Sequence, residues 1–504
     1  NAVLLRLYHR RVIKLYYNLW CSNGHTPLIS LCSFGLFAHS QTMASLAAAE
    51  GARHVVALPY PGRGHINPML AVCRLLVASD GALTVTVVVT EEWHTLLAST
   101  TLPDRVGLAT ISNVIPSERG RGADHAGFID AVYHKMGEPV ERLLDGLERR
   151  PEAVVADTYL TWAVAAGARR GIPVCSLWTQ PATFFLALYH FDLWPPVDGR
   201  DSEEELSIRS LEGTVPVRCL SSVRLSDLKT FRAWKRPMEI SAETFANIGR
   251  AQCVLFTSFH ELEPCAMDAV AESLPCPVYP VGPSIPQLAL DGDDKIHDEE
   301  HRGWLDAQPE NSVLYVSFGS FVAMSPSQFE EIAMGLRDSG VRFFWVARDK
   351  AADVRQTCGD RGLAVAWCEQ QKVLCHPSVG GFLSHCGWNS VLEAVCAGVP
   401  LLAFPVGWDQ LVNARMVADE WKVGINLREQ RGEGGTVGRA AISAAARKLM
   451  DFDSEVGQEM RRRAAELSHL SRGAVKEGGS SHRSLNGFLR DLAEGKLDVT
   501  EAPP

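Results

Sequence analysis

From His54 onward, short and nearly continuous apolar runs alternate with longer segments whose apolar residues return every three to four positions. Runs without polar alternation suit strands buried on both faces, and the intervening period suits amphipathic helices. The pattern therefore predicts parallel sheets covered by helices. In the first half the strand candidates are His54–Leu58, Leu83–Val89, Ala153–Ala156, Val174–Trp178 and Val254–Phe256. Helices are predicted over Met69–Ala78 and Phe128–Leu147, and Thr158–Arg169 is apolar on most sides, which marks a more buried helix. A second series runs through Val313–Phe318, Phe343–Ala347, Gly380–Ser384, Leu401–Phe404 and Val423–Leu427, so two α/β halves follow one another. Between them, Pro280–Glu310 combines Pro283, Pro286 and Gly292 with the charged run Asp291–Arg302, the composition of a linker and surface loop. Asp192–Leu206 is a second acidic, proline-containing loop, and a last helix is predicted at Ser481–Leu492.

Composition narrows the class. At 504 residues the chain exceeds one typical domain of about 100–200 residues, so two or three cores are expected. A hydrophobic fraction of 46 % with 21 % charged residues excludes a disordered chain and a polytopic membrane protein. The net charge of −10, with no basic block in the body of the chain, argues against nucleic acid as a partner. Thirteen cysteines form no CxxC pair and read as scattered, mostly buried thiols of a reducing compartment, which predicts a cytoplasmic protein. Residues 1–42 stand apart: they carry Arg6, Arg10, Arg11 and Lys14, no acidic residue, and an apolar stretch from Leu28 to Ala38 that is too short to span a bilayer. Three readings fit this leader: translated sequence upstream of a start at Met43, a targeting segment, or a structured extension. The first is preferred because Met43-Ala44-Ser45 leads directly into an Ala-rich segment and the first strand.

Three stretches carry candidate chemistry. Pro59-Tyr60-Pro61-Gly62-Arg63-Gly64-His65-Ile66-Asn67-Pro68 follows the first strand, where glycines let backbone approach a ligand at the open end of an α/β sheet. His65 is then either at the lip of a crevice or a turn histidine bonded to a carbonyl. Asn67 stands where a dinucleotide fingerprint needs its third glycine, which disfavours a nicotinamide site. Asp157 closes the strand Ala153–Ala156, where its carboxylate can hold a histidine at a neighbouring strand end or cap the helix that follows. In Trp367–Gln410, the strand Gly380–Ser384 runs through His385-Cys386-Gly387 into a helix beginning near Asn389-Ser390, and a helix N-terminus there suits a phosphate. Ser390-Val391-Leu392-Glu393 also reads as a capping box, which needs no ligand. Cys375, His376, His385 and Cys386 lack the spacing of a structural zinc site, so no metal is expected.

The segment from Trp367 to Gln410 resembles the secondary product glycosyltransferase signature of the plant family 1 UDP-dependent glycosyltransferases. Gly64-His65, Val155-Ala156-Asp157, Trp178-Thr179 and Tyr315-Val316-Ser317-Phe318-Gly319-Ser320 extend the likeness to nearly everything from His54 to the C-terminus. The resemblance implies a GT-B fold, two Rossmann-like domains facing each other across a cleft. It divides the chain into an acceptor-binding domain (43–285), a linker (286–310), a UDP-sugar-binding domain (311–478) and a C-terminal helix and tail (479–504) that return to the first domain. It implies that Trp367 stacks on uracil with Gln370 nearby, and that Glu393 binds the ribose hydroxyls. His385, Asn389, Ser390 and Ser320 would hold the diphosphate. Asp409 and Gln410 would bind the sugar, with Trp388 beside it and Thr179 reaching it from the other domain.

On that resemblance His65 is the general base that takes the acceptor proton, Asp157 steadies the imidazolium, and inversion gives a β-glycoside with no metal or cofactor beyond the co-substrate UDP-glucose. Gln410 and Trp388 resemble the glucose-using members. The expected partners are the UDP-sugar and a small lipophilic acceptor with a hydroxyl or carboxyl group, in a protein that works as a monomer. Tyr60, Trp178, Phe184, Phe185, Phe191 and Trp194 form an aromatic group suited to a flat aglycone, although such spacing serves a core equally well. A non-catalytic nucleotide-sugar-binding protein on the same fold is the alternative, disfavoured because both His65 and Asp157 are present.

Overall fold

The computed structural model describes residues 53–497 and 499, apart from 119–120, 122–123, 194–217, 221–222, 229–234, 286–295, 320–323 and 432–434. The leader, the Asp192–Leu206 loop beyond Leu193, Trp194 and Ser320 thus lie outside the described residues. Two wholly parallel sheets follow one another. The first contains β1 (Arg53–Leu58), β2 (Leu83–Thr90), β3 (Val106–Ile111), β4 (Ala153–Asp157), β5 (Val174–Trp178), β6 (Cys253–Phe256) and β7 (Val278–Pro280), in the order β3-β2-β1-β4-β5-β6-β7. The second contains β8 (Val313–Ser317), β9 (Arg342–Val346), β10 (Gly362–Val365), β11 (Val379–Ser384), β12 (Leu401–Ala403) and β13 (Gly424–Asn426), in the order β10-β9-β8-β11-β12-β13. Both orders reverse direction beside their first strand, and ligands of open α/β sheets bind at that switch point, outside the carboxyl ends of the strands. Here the switch points are β1 beside β4 and β8 beside β11, with Leu58 paired to Ala156 and Ser317 to Ser384.

Local sequence explains where the elements begin and end. The first helix, α1 (Arg63–Ser79), starts at the glycine turn itself and places His65 in its first turn. The single helix expected over Phe128–Leu147 is two, α2 (His125–Lys135) and α3 (Gly137–Asp145), because Gly137 and Pro139 interrupt the run and proline supplies no N–H to a preceding carbonyl. Thr158–Leu160 is a turn, so the next helix covers only Trp162–Ala168. The stretch expected as loop between the halves contains a helix at Glu299–Asp306, capped by Asp298, whose carboxylate accepts from the His301 N–H at 3.0 Å, and seated by buried Leu305. The cysteines also need correction: Cys219 and Cys265 form a disulfide, with Cα atoms 5.6 Å apart, while eight other described cysteines are free. A separation of 46 residues gives no sequence signal for that pair.

One buried apolar cluster runs from Phe184, Phe256 and Val270 of the first half to Tyr315, Phe344 and Val391 of the second. The C-terminal helix (Ser480–Ala493) lies on the first sheet: Leu485, Phe488, Leu489 and Leu492 join the core of β1, β2 and α1, and the Tyr279 hydroxyl donates to Asp491 at 2.7 Å. No described helix is long and apolar enough to cross a membrane. Phe488 is fully buried against Tyr279, with ring centroids 5.6 Å apart, so Phe488→Ala should lower unfolding free energy by about 3–5 kcal/mol in urea titration. A loss below about 1 kcal/mol would show that this helix opens separately from the sheet it covers.

Candidate functional site

The carboxyl ends of both sheets open on one cavity of about 1070 Å³, lined from the first half by the β1–α1 turn and from the second by the Trp367–Gln410 segment. On the first side Asp157 ends β4 and is 2 % exposed, so its charge needs donors. His65 Nδ1 lies 2.7 Å from Asp157 Oδ2, and the Tyr159 N–H donates to Oδ1 at 3.1 Å. The carboxylate thus holds the histidine and braces a turn; it does not cap a helix, the other role foreseen for it, because the next helix begins only at Trp162 with Thr161 as its N-cap. The pair places the proton on Nδ1 and leaves the Nε2 lone pair as the basic atom, with no hydrogen bond to Nε2 among the described residues. Thr179 Oγ1 sits 3.1 Å from His65 Nδ1, so its hydroxyl meets the histidine as well as the cavity.

On the second side, helix α4 (Trp388–Ala397) has Gly387 as its N-cap and no side-chain cap. The capping box is not formed: Ser390 and Glu393 both accept from the Gln370 amide, Ser390 Oγ at 2.9 Å, while Gln370 Oε1 accepts from the Tyr315 hydroxyl at 3.0 Å. Uncapped N–H groups at Gly387–Ser390 border the cavity, the arrangement that favours an anion. His385 is wedged between two glycines; a Cβ on Gly319 or Gly387 would lie 2.6 Å from its Nε2. Burial, assisted by Arg348, lowers the His385 pKa to about 4, so at neutral pH the ring offers an N–H dipole and no full charge. Cys386 takes the left-handed φ of 63° at this turn, and Trp408 takes 56° just before Asp409. Such strain in non-glycine residues concentrates at binding sites.

Glu393 is held up to about 7 by burial, against the opposing pull of its Gln370 hydrogen bond. Asp409 is likewise raised to about 6 by burial, although it accepts from Asn413 Nδ2 at 2.7 Å. In both, desolvation outweighs the amide N–H groups that the carboxylate accepts from. Gln410, at the start of helix α5 (Gln410–Arg415), accepts at Oε1 from the N–H groups of Val406 and Gly407, and its Nε2 has no partner among the described residues. Trp367 stands at the rim, 69 % exposed, a large flat surface left open beside the cavity. Trp388 is buried with its edge on the cavity, and the Asn389 amide crosses to the Gly64 carbonyl at 3.0 Å, tying the two halves together over the site. No group of three or more His, Cys, Asp or Glu is gathered for a metal ion among the described residues.

The aromatic group foreseen for the acceptor needs revision. Tyr60 lines the cavity, but Trp178, Phe184 and Phe185 are at most 1 % exposed and pack on one another and on Phe245 and Phe256. Trp178 ends β5, the helix that carries Phe184 and Phe185 (Ala182–Tyr189) is buried on nearly every side and sinks into the core between the halves, and Phe191 does not reach the cavity either. The wall beside His65 is built instead by His125, Ile129 and Tyr133, by Tyr159 and Gln180, and by Ile240 and Ser241. The first three recur at i, i+4 and i+8 on α2, a single helical face, and this spacing is the signal a count of aromatic residues overlooks. Burial and the nearby Arg121 cation lower the His125 pKa to about 4.

With this geometry in hand, comparison with known proteins is specific. Residues 273–434 match the family model described as UDP-glucoronosyl and UDP-glucosyl transferase. The chain is 43 % identical to UDP-glycosyltransferase 87A1 of Arabidopsis thaliana over 87 % of its own length and 100 % of that protein. Among solved structures, Os79 of O. sativa with a trichothecene superposes at a TM-score of 0.76, with 29 % identity over 87 % of this chain and 100 % of that one. The Phytolacca americana enzyme holding UDP-2-fluoro-glucose and pterostilbene superposes at 0.74, with 28 % identity over 88 % of this chain and 100 % of that one. A paired histidine and aspartate facing an uncapped helix N-terminus across one cleft, in a GT-B fold with relatives of this identity over nearly their whole length, leads to one conclusion: the chain belongs to the plant family 1 UDP-glycosyltransferases.

Proposed function

We propose that the protein transfers glucose from UDP-glucose to a hydroxyl or carboxyl group of a small lipophilic plant metabolite, with inversion, to give a β-glucoside. The observation that carries this reading is the His65–Asp157 pair opening on the same cavity as the uncapped start of α4. In the reaction, His65 Nε2 takes the acceptor proton as the acceptor oxygen bonds to the anomeric carbon. The bond from that carbon to the diphosphate breaks, and its electron pair leaves with UDP. Asp157 keeps the ring in the Nδ1–H tautomer and stabilises the imidazolium that results.

The donor is read onto the second half. Trp367 stacks on uracil, Glu393 accepts from the ribose hydroxyls, and the N–H groups at Gly387–Ser390, with His385, Asn389 and Ser320, stabilise the diphosphate without a metal cofactor. Asp409 and Gln410 receive the sugar hydroxyls beside Trp388, with Thr179 reaching in from the first half. Gln410 and Trp388 and the UDP-2-fluoro-glucose of the Phytolacca americana structure favour glucose. The apolar wall of Tyr60, Ile129, Tyr133, Tyr159 and Ile240 suits an aglycone with an apolar body and few polar groups.

Incubation with UDP-glucose and pooled phenolic, terpenoid and carboxylic acceptors should give a product heavier by one hexosyl unit in mass spectrometry. His65→Ala should lower turnover roughly 10²–10⁴-fold while UDP-glucose binding is kept, and unchanged turnover would overturn the assignment of the base. Donor affinity should also depend on pH through Glu393. Its acid form, populated below about 7 in the free protein, accepts hydroxyls less well than the carboxylate, so the UDP-glucose Kd should fall as pH rises through about 7. Calorimetric titration from pH 6 to 8 should show that step in the wild type and its absence in Glu393→Gln; a flat wild-type profile would remove Glu393 from donor recognition.

A further inference from the structure

A buried ion cluster joins the two halves away from the reacting atoms. Asp227, fully buried in a short 3-10 turn of the first half (Leu225–Leu228), receives two arginines of the second half. Arg415 Nε approaches Asp227 Oδ2 at 2.6 Å and its Nη2 approaches Oδ1 at 3.2 Å, a two-pronged contact, while Arg428 Nη1 reaches Oδ1 at 2.6 Å and its Nη2 donates to the Ser226 carbonyl at 2.9 Å. The segment that bears Asp227 is anchored: Leu220, Val223 and Leu228 are buried in the apolar cluster common to both halves, and Cys219 is bonded to Cys265 of the first half.

What Arg415 carries gives the cluster its meaning. It is the last residue of α5, whose first residue is Gln410 and whose N-cap is Asp409. Within α5, Asn413 donates to both Asp409 Oδ2 at 2.7 Å and the Cys386 carbonyl at 2.9 Å, so the helix also fixes the turn ahead of α4. The helix follows the left-handed Trp408 and runs without a break into a π-helical turn at Met416–Glu420, with all six of its own residues buried. Arg415 stands at the junction of the two stretches, so the Asp227 carboxylate grips the segment from the opposite half at the point where its helical period changes.

We propose that Asp227 is a positioning residue for donor-sugar recognition: through Arg415 it orients α5 so that Asp409 and Gln410 face the cavity. A contribution from the acceptor half to selection of the sugar follows. The proposal rests on the reading that Asp409 and Gln410 meet the sugar, and the experiment separates the two. Calorimetric Kd values for UDP and for UDP-glucose are measured on the wild type, Asp227→Asn, Arg415→Lys and Gln410→Ala.

Asp227→Asn should weaken UDP-glucose by roughly tenfold, the order of one lost charged hydrogen bond, while the Kd for UDP stays within about twofold. Arg415→Lys keeps the charge and is the milder change for folding, and it should move the same ratio in the same direction by less. A variant harmed only in stability would bind both ligands less through its unfolded fraction, leaving the ratio unmoved. If Gln410→Ala lowers UDP-glucose affinity relative to UDP and neither Asp227→Asn nor Arg415→Lys does so, the positioning role is overturned and the sugar contact stands. If Gln410→Ala leaves the ratio unchanged, the sugar contact itself fails and takes the proposal with it.

Discussion

A carboxylate at the carboxyl end of a buried strand has to find donors, and the rest of the site follows from how Asp157 finds them. With 2 % of its surface exposed, it is satisfied by the His65 ring on one oxygen and the Tyr159 N–H on the other. The first contact requires α1 to begin at the glycine turn, since only a helix entered at Arg63 brings residue 65 over the end of β4. The second contact turns the chain so that Tyr159 and then Gln180, to which its hydroxyl donates, border the same cavity. One buried charge thereby fixes a tautomer, a helix start and part of the acceptor wall.

The parallel sheets were legible because strands buried on both faces are written as continuous apolar runs. The strands that escaped have weaker signatures. Val106–Ile111 is broken by Gly107 and Thr110, Val278–Pro280 ends in proline, and Gly362–Val365 has only four residues. The helix at Glu299–Asp306 escaped because only His301 and Leu305 are buried, with Trp304 the one other large apolar residue, in a mainly charged segment interrupted by Gly303. Site chemistry was legible where it sits at strand ends, as with His65, Asp157 and the Trp367–Gln410 segment. It was not legible where composition serves a pocket and a core equally: Trp178 at the end of β5 and Phe184 and Phe185 on the helix after it are aromatic but lie in the core. Pairing between distant residues outside the motifs escaped, as in Cys219–Cys265 and in Asp227 with Arg415, 188 positions apart.

The two halves are not independent bodies around a hinge. A common apolar cluster, the Asn389 amide on the Gly64 carbonyl, the Trp421 indole donating to the Leu262 carbonyl at 3.2 Å and the Asp227 cluster all cross between them. Each crossing contact touches an element that borders the cavity or directly follows one that does. Catalysis across a cleft needs the base on one wall and the electrophile on the other held in a single geometry, and a misplacement of about 1 Å can cost roughly 10²-fold in rate. The crossing contacts restrain the two walls in that way, and of these the Asn389 amide lines the cavity itself.

Glu393 and Asp409 show the same logic from the side of stability. Each is buried, and desolvation outweighs its hydrogen bonds, so each holds its proton to a higher pH than an exposed carboxyl would. Because these pKa values are raised in the folded state, the native protein binds protons that the unfolded chain has released. Stability accordingly declines with pH from the unfolded values of 4.5 and 3.8 up to about 7 and about 6 respectively. Amides or apolar groups at the two positions would avoid that decline. On the donor reading proposed above, a hydroxyl donating to either carboxylate favours its charged form, so the stability that burial of these groups costs returns as binding free energy.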